Sequence, residues 1–172
     1  MPMYLYLGDI TRMETDAIVN AAGTDLRRCP GICDAIFAAA DTEELERACR
    51  KLGRCRIGQA VATPGCGLPC RYIIHVAGPG WYGGEPRERF LLAGCYQNAL
   101  HKAYLCSCRR VAVPLIFSGD CHMPRAASLR VAGAAIADFC QRHPSMEVTL
   151  VLYRQSISDM AKRILGWEDA PS

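Results

Sequence analysis

The sequence predicts an α/β fold in which helices cover both faces of one central sheet, a three-layer α/β/α sandwich. Three observations predict it. Apolar runs with the length and branched residues of strands alternate with segments of helical periodicity along the whole chain. The run from Val111 to Ile116 is continuously apolar, which is typical of a strand covered on both faces. Two of the strands lead through loops rich in small residues into helices, as in open α/β sheets.

Length and composition set the scale of the fold. At 172 residues the chain is expected to form one domain with a substantial core. The net charge is only +3, and the adjacent basic pairs Arg27-Arg28 and Arg109-Arg110 are far apart in sequence. This spread disfavours a nucleic-acid groove, which needs a clustered basic face, but it leaves room for a small anionic ligand.

The sequence contains no recognisable membrane or export segment. No stretch is long and apolar enough to span a bilayer. The first ten residues lack a basic region and reach Gly8-Asp9 too early for a signal peptide. We therefore expect a cytoplasmic protein without a membrane partner.

Eleven cysteines are many for this length. Because they lie within strand and helix patterns, we expect most of them to be reduced core residues. Three close pairs invite a metal interpretation: Cys29/Cys33, Cys66/Cys70 and Cys106/Cys108. None has the paired spacing of a zinc ribbon or a nearby histidine pair, so we predict no metal site.

The elements of the first half follow from local patterns. A strand is expected over residues 3–7, and a second begins at Ala17 with two branched residues. Apolar residues recur at helical spacing from Ile32. Asp41 is expected to cap a further helix, with Glu44 reaching back to it, and Gly53 ends that helix.

Two strands, residues 60–63 and 72–76, flank a Pro- and Gly-rich turn and are expected to lie side by side. His75 alternates with apolar neighbours on the second of these strands. A core histidine with its ring nitrogens hydrogen-bonded is therefore favoured over a catalytic one. A helix with a broad apolar face is predicted over residues 85–105.

In the second half, Pro114 interrupts the apolar strand pattern and predicts an edge strand or a bulge, because proline cannot donate to a ladder. Pro124 suits the first turn of a helix that is expected to run to Arg142. A strand over residues 147–153 and a helix over 155–165 complete the fold. Residues 167–172 are predicted to be a flexible tail that follows a domain spanning residues 1–166.

Two loops carry the candidate site. Gly31 stands where a helix begins, and the free N–H groups of a helix N-terminus suit a phosphate. The alternative is an ordinary surface loop. A second loop of small residues follows Ile116, and two such loops at strand ends predict a ligand crevice. Asp9 is either a turn or helix cap, or a carboxylate that accepts a hydrogen bond from a ligand amino group.

An ordered set of short motifs spans almost the whole chain. They are Gly8-Asp9-Ile10-Thr11, Asp16-Ala17-Ile18-Val19-Asn20-Ala21-Ala22, Gly31-Ile32, Tyr72-Ile73-Ile74-His75-Val76-Ala77-Gly78-Pro79, Leu91-Leu92 with Cys95-Tyr96, Val113-Pro114-Leu115-Ile116, Ser118-Gly119 and Val151-Leu152-Tyr153. In this order they resemble a macro domain.

The resemblance implies a module with a mixed central sheet that binds ADP-ribose or an ADP-ribosylated protein, needs no cofactor and is monomeric. It places Asp9 on the adenine amino group with Ile10 beside the ring, and Tyr153 near the adenine end. It places two backbone segments along the diphosphate. The implied ligand-binding residues are Asp9, Ile10, Asn20, Gly31, Ile32, Cys33, Phe117, Ser118, Gly119, Asp120, Cys121 and Tyr153.

The sequence departs from the pattern of ADP-ribosyl hydrolases in that family. Gly23 stands where they usually have an asparagine, and Arg28-Cys29-Pro30 replaces a glycine run. Cys33 stands where many have an aspartate, and Cys121-His122 replaces an aromatic residue and a glycine. Asp34 is the candidate base that orients water; the alternative is a carboxylate that only stabilises the helix dipole. Cys33 and Cys121 are conceivable nucleophiles.

Three functions follow from the resemblance and the residues. The first is hydrolysis of ADP-ribosyl-protein or O-acetyl-ADP-ribose bonds. The second is a non-catalytic reader of ADP-ribose or a related nucleotide. The third, disfavoured by the sparse basic content, is a nucleic-acid binder whose affinity falls steeply with salt.

Overall fold

A computed structural model describes residues 2–79, 86–116 and 123–171. The strands in these ranges are β1 (Met3–Leu7), β2 (Ala17–Ala22), β3 (Ala60–Pro64), β4 (Tyr72–Ala77), β5 (Arg110–Pro114), β6 (Glu147–Leu152) and β7 (Glu168–Asp169). The helices are α1 (Ile32–Ala39), α2 (Thr42–Leu52), α3 (Pro86–Leu105), α4 (Arg125–Arg142) and α5 (Gln155–Leu165), and a 3₁₀ turn covers Ile10–Arg12. The predicted elements are confirmed to within a few residues of their ends.

The seven strands form one sheet in the order β3-β4-β2-β5-β6-β1-β7. The pair β3–β4 is antiparallel, as the tight turn between these strands predicts. The other pairs are parallel. The mixed sheet implied by the resemblance is therefore confirmed.

Alternate residues of each strand enter two separate cores. On β2, Ala17 and Val19 face a core that α3, α4 and α5 cover, whereas Ile18 faces a core that α1 and α2 cover. Strands β5 and β6 alternate in the same way, with Ala112 and Val151 on the α1 face. The three-layer α/β/α sandwich is confirmed, because each face of the sheet buries its side chains under its own set of helices.

Two predictions are corrected. Pro114 lies on β5, which is flanked by β2 and β6 and is not an edge strand. The proline is tolerated because the ladder with β2 extends only to Ala112, two residues before it. The tail is also corrected, because residues 168 and 169 form β7 beside β1. Gly166, in the left-handed conformation, ends α5, and the Ala170 N–H then donates to the Leu5 carbonyl at 2.8 Å.

The ten cysteines within the described ranges are all free thiols, and seven of them are buried. Burial raises the pKa of several of them, including Cys49 and Cys140, each to about 11. They therefore behave as small core residues, as predicted. The described residues contain no group of three or more metal-ligating side chains, and no described helix is long and apolar enough to cross a membrane.

Candidate functional site

The carboxyl ends of five strands meet at one edge of the sheet. Strands β1, β2, β4, β5 and β6 are mutually parallel, so the segments that follow them emerge on the same side. Asp9 follows β1, the first loop (residues 23–31) follows β2, and Tyr153 follows β6. The topology thus brings together residues that are far apart in the sequence.

A topological switch lies between β2 and β5. These strands are neighbours, but β2 continues into α1 on one face of the sheet and β5 continues into α4 on the other. Chain segments that diverge to opposite faces leave a crevice outside the strand ends, and open α/β sheets bind their ligands there. The first loop and the end of β5 border this position.

The first loop presents an open helix N-terminus toward this edge. Gly31 precedes α1 with φ of 85°, a conformation that glycine adopts at little cost, and an added Cβ would meet no atom within 4 Å. No side chain in the described residues caps α1. The N–H groups of its first turn, at Ile32 and Cys33, remain suited to an anion.

Asp34, the candidate base, lies in the first turn of α1 and forms an ion pair. Its Oδ1 atom accepts a hydrogen bond from Arg28 Nε at 2.6 Å, and its side chain is 58% exposed. Arg28 comes from the first loop, so the pair connects the two ends of the segment that contains Gly31. No local pattern in the sequence marks this pairing, because the two residues belong to different elements.

Beneath the first loop lies a buried chain of polar side chains from four elements. Asn20 Nδ2 lies 3.0 Å from His75 Nδ1, and His75 Nε2 lies 3.0 Å from Thr63 Oγ1. Asn20 Nδ2 also lies 3.8 Å from Cys33 Sγ. None of the four residues is more than 2% exposed. We call Thr63, His75, Asn20 and Cys33 the Asn20–His75 relay.

Burial keeps His75 neutral. Burial lowers the pKa of His75 to about 4, so the ring carries no charge at neutral pH. The prediction of a hydrogen-bonded core histidine is confirmed. Sequence reasoning missed Thr63. The alternation of side chains along β3 was a usable signal, because pairing β3 with β4 places Thr63 on the same face as His75.

The two cysteines of this region point inward. The Cys29 N–H donates to Cys33 Sγ at 3.3 Å, and the Cys33 thiol is directed at the Arg27 carbonyl at 3.8 Å. Cys33 is 1% exposed, which leaves its sulfur no access to a substrate in this conformation. Burial, with a further contribution from the hydrogen bond to Cys33, raises the pKa of Cys29 to about 12, which makes it a poor nucleophile.

Asp9 and Tyr153 lie at adjacent strand ends. The Gly8 N–H donates to the Leu152 carbonyl at 2.9 Å, which joins the segment after β1 to the end of β6. Asp9 Oδ1 accepts from the Thr11 N–H at 2.9 Å and from the Thr11 hydroxyl at 2.7 Å, so the carboxylate caps the 3₁₀ turn. Tyr153 is 82% exposed, whereas Ile10 is 4% exposed and packs into the α1-face core. Contact of these residues with adenine stays a prediction.

The second loop starts from a firmly held residue. The Tyr96 hydroxyl accepts from the Ile116 N–H at 2.8 Å, and the Ser128 hydroxyl lies 3.4 Å from the Ile116 carbonyl oxygen. The predicted site residues Phe117, Ser118, Gly119, Asp120 and Cys121 lie outside the described residues. Their contacts with a ligand stay a prediction.

Comparison with known proteins decides the family. The family model described as Macro domain matches residues 19–132. The chain belongs to the macro domain family. The matched range contains the first loop, the Asn20–His75 relay and the start of α4, and therefore both sides of the switch point.

Two named relatives agree with this assignment. This macro domain is 38% identical over 168 residues to an O-acetyl-ADP-ribose deacetylase of Escherichia fergusonii, covering 95% of this chain and 94% of the relative. It is 43% identical over 133 residues to a macro domain-containing protein of Mesorhizobium japonicum, covering 77% of this chain and 75% of the relative.

Solved structures share the fold. The Oceanobacillus iheyensis macrodomain with ADP superposes with a TM-score of 0.88 at 31% identity, over 94% of this chain and 88% of that one. A Trypanosoma brucei macrodomain in complex with ADP-ribose gives a TM-score of 0.86 at 26% identity, over 96% of this chain and 69% of that one.

Proposed function

We propose that this macro domain binds ADP-ribose at the carboxyl edge of its sheet, with the diphosphate on the N–H groups at the start of α1. The observation that carries the proposal is Gly31 before an uncapped helix at the switch point. The helix N-terminus supplies unpaired donors and a partial positive charge, and glycine lets the diphosphate approach the backbone closely. The ADP and ADP-ribose complexes of structural relatives support the same ligand class.

The sharpest test compares two glycines that share a positive φ. Gly31 has φ of 85° and Gly53, at the end of α2, has φ of 80°, and an added Cβ meets no atom within 4 Å at either position. Gly31→Ala and Gly53→Ala should therefore cost similar stability, on the order of 1 kcal/mol. Only Gly31→Ala should weaken ADP-ribose binding, by about ten-fold or more, because it moves the backbone that holds the diphosphate.

Isothermal titration calorimetry with ADP-ribose on the wild type and both variants gives the answer. The wild type should bind saturably. Absence of binding heat from a folded wild type overturns the proposal. Equal affinity loss in the two variants would show that strain alone acts and that α1 does not hold the ligand.

A second candidate function is slow hydrolysis of O-acetyl-ADP-ribose, and the near-complete coverage of the Escherichia fergusonii deacetylase favours it. We assign the role of water-orienting base to Asp34, whose exposed carboxylate can reach solvent water. The ion pair with Arg28 opposes this role, because the guanidinium occupies the Oδ1 atom that would otherwise hold a water molecule. Turnover is therefore expected to be slow.

Two single variants test the assignment. Asp34→Ala should lower the turnover of O-acetyl-ADP-ribose at least about ten-fold if the carboxylate orients the water. Arg28→Ala keeps the carboxylate and should retain or raise turnover. Turnover that is unchanged in Asp34→Ala removes Asp34 from catalysis, and saturable binding without turnover in the wild type identifies a reader.

A further inference from the structure

The Asn20–His75 relay connects the edge strand of the sheet to the first loop. Thr63 lies on β3, His75 on β4, Asn20 on β2 and Cys33 on α1, so the relay crosses three adjacent strands and enters a helix. Its strand members all face the core that α1 and α2 cover. Buried polar chains of this kind favour one arrangement, because moving any member out of place breaks a buried hydrogen bond.

The donors and acceptors of the relay follow from the orientation of one side chain. Asn20 Nδ2 faces His75 Nδ1 and Cys33 Sγ, and both of these atoms act as acceptors toward an amide N–H. The ring proton of neutral His75 therefore lies on Nε2 and is donated to Thr63 Oγ1. The orientation of the Asn20 carboxamide thus selects the histidine tautomer, and the Thr63 hydroxyl accepts the ring proton at the other end.

The relay ends inside the first loop. Cys33 Sγ receives the Asn20 amide on one side and the Cys29 N–H, at 3.3 Å, on the other. The same sulfur is 3.8 Å from the Arg27 carbonyl. Through one sulfur atom, the orientation of Asn20 thereby sets the position of two backbone groups immediately before α1.

We propose that His75 is a positioning residue for ligand binding, which acts through Asn20 and Cys33 to hold the first loop in the conformation that receives a diphosphate. The inference rests on the proposed function for its ligand. One feature beyond the contacts points the same way. Asn20 Oδ1 is buried and has no partner among the described residues. An apolar side chain of similar size would avoid the cost of burying this unpaired oxygen. Packing alone does not account for its presence.

The first experiment alters Thr63, the far end of the relay. Three side chains separate Thr63 from the first loop, so a substitution there does not touch the proposed ligand site directly. Thr63→Val removes the acceptor for the His75 ring, and Thr63→Ser keeps it. Thr149→Val is the matched control, since Thr149 is 5% exposed and its place in the alternation of β6 puts it on the same face of the sheet. We expect Thr63→Val to weaken ADP-ribose binding about five-fold, and the other two variants to stay within about two-fold of the wild type.

A ligand-free readout separates this inference from the proposed function. Amide hydrogen exchange at Cys29 reports the N–H that Cys33 accepts, and exchange at Leu45, whose N–H donates to the Asp41 carbonyl at 2.9 Å, corrects for global stability. Relative to Leu45, exchange at Cys29 should accelerate in Thr63→Val and not in Thr63→Ser or Thr149→Val. This outcome supports the inference even if ADP-ribose does not bind to the wild type.

The histidine ring provides the second test. Nitrogen-15 spectra of the wild type should show the Nε2–H tautomer of His75, and His75→Asn, which keeps an acceptor near the Nδ1 position, should retain more affinity than His75→Phe. An Nδ1–H tautomer overturns the inference. So does unchanged relative exchange at Cys29 in both Thr63→Val and His75→Phe, whatever their affinities for ADP-ribose.

Discussion

The chain segments that leave β2 and β5 at the switch point are anchored in the two cores by different chemistry. After β5, the backbone N–H and carbonyl of Ile116 are both hydrogen-bonded, to the hydroxyls of Tyr96 and Ser128. After β2, the first loop is held through a relay of side chains that begins on β3 and ends at Cys33. The first anchor binds the backbone directly, whereas the second acts through three intervening side chains.

The difference matters because only one anchor contains a group that titrates in mild acid. Burial raises the pKa of the Tyr96 hydroxyl well above its usual value, so this anchor is unchanged across ordinary pH. His75 must stay neutral for its Nδ1 atom to accept from Asn20. Conditions and variants that affect the two anchors differently can therefore test them separately.

The largest expected effect is the response of the His75 anchor to acid. Burial lowers the pKa of His75 from 6.5 to about 4, so the unfolded chain takes up this proton first as the pH falls. The free energy of unfolding that depends on neutral His75 is fully present above pH 6.5 and is lost as the pH falls from 6.5 to about 4. The loss amounts to roughly 3 kcal/mol. Urea unfolding at half-unit pH steps measures it.

His75→Phe should flatten the stability profile over this window, leaving only the contribution of the carboxylates. His101→Gln is the control, because His101 is exposed and its replacement should keep the slope of the wild type. Equal slopes in the wild type and His75→Phe would contradict the expected effect and would mean that the folded protein takes up the His75 proton as readily as the unfolded chain does.

The second effect belongs to the other anchor. Tyr96→Phe keeps the ring and removes the hydroxyl that accepts the buried Ile116 N–H, so we expect a loss of about 2 kcal/mol in the free energy of unfolding. The loss should be independent of pH between 5 and 8. Tyr104→Phe serves as the control, because Tyr104 is 45% exposed, and it should change stability by less than about 0.5 kcal/mol. A pH-dependent loss in Tyr96→Phe would show that the two anchors are coupled.

Local signals in the sequence predicted the elements well. Asp41 caps α2, accepting from the Glu44 N–H at 3.1 Å, and Gly53 and Gly166 end their helices as expected. These features depend on neighbours within one turn, which is why a single sequence reveals them. Pro114 was misplaced because its tolerance depends on where the ladder with β2 ends, and the order of non-consecutive strands sets that point.

The candidate site was only partly predictable for the same reason. The motif order supplied the first loop and the strand ends, but the partners of His75 lie 12 and 55 residues away in sequence. A histidine in a buried apolar strand needs hydrogen-bond partners, and the sequence shows this need. Only the strand order β3-β4-β2 shows which residues are the partners. Long-range polar contacts carry no periodicity, so no local pattern marks them.

The smallest effect tests whether the first loop is held from inside or from outside. Besides the relay, the ion pair between Arg28 and Asp34 spans this loop at 2.6 Å, but both side chains are more than one-third exposed. Water screens such a pair, so Arg28→Ala should lower stability by less than about 0.5 kcal/mol, and the coupling energy of a double-mutant cycle with Asp34→Ala should be equally small.

Asp41→Ala, which removes a helix cap, should cost about 1 kcal/mol in the same urea assay and shows that such effects are resolved. A coupling energy above about 1.5 kcal/mol would place a main restraint of the loop at its surface, and the buried relay would then no longer be the dominant anchor.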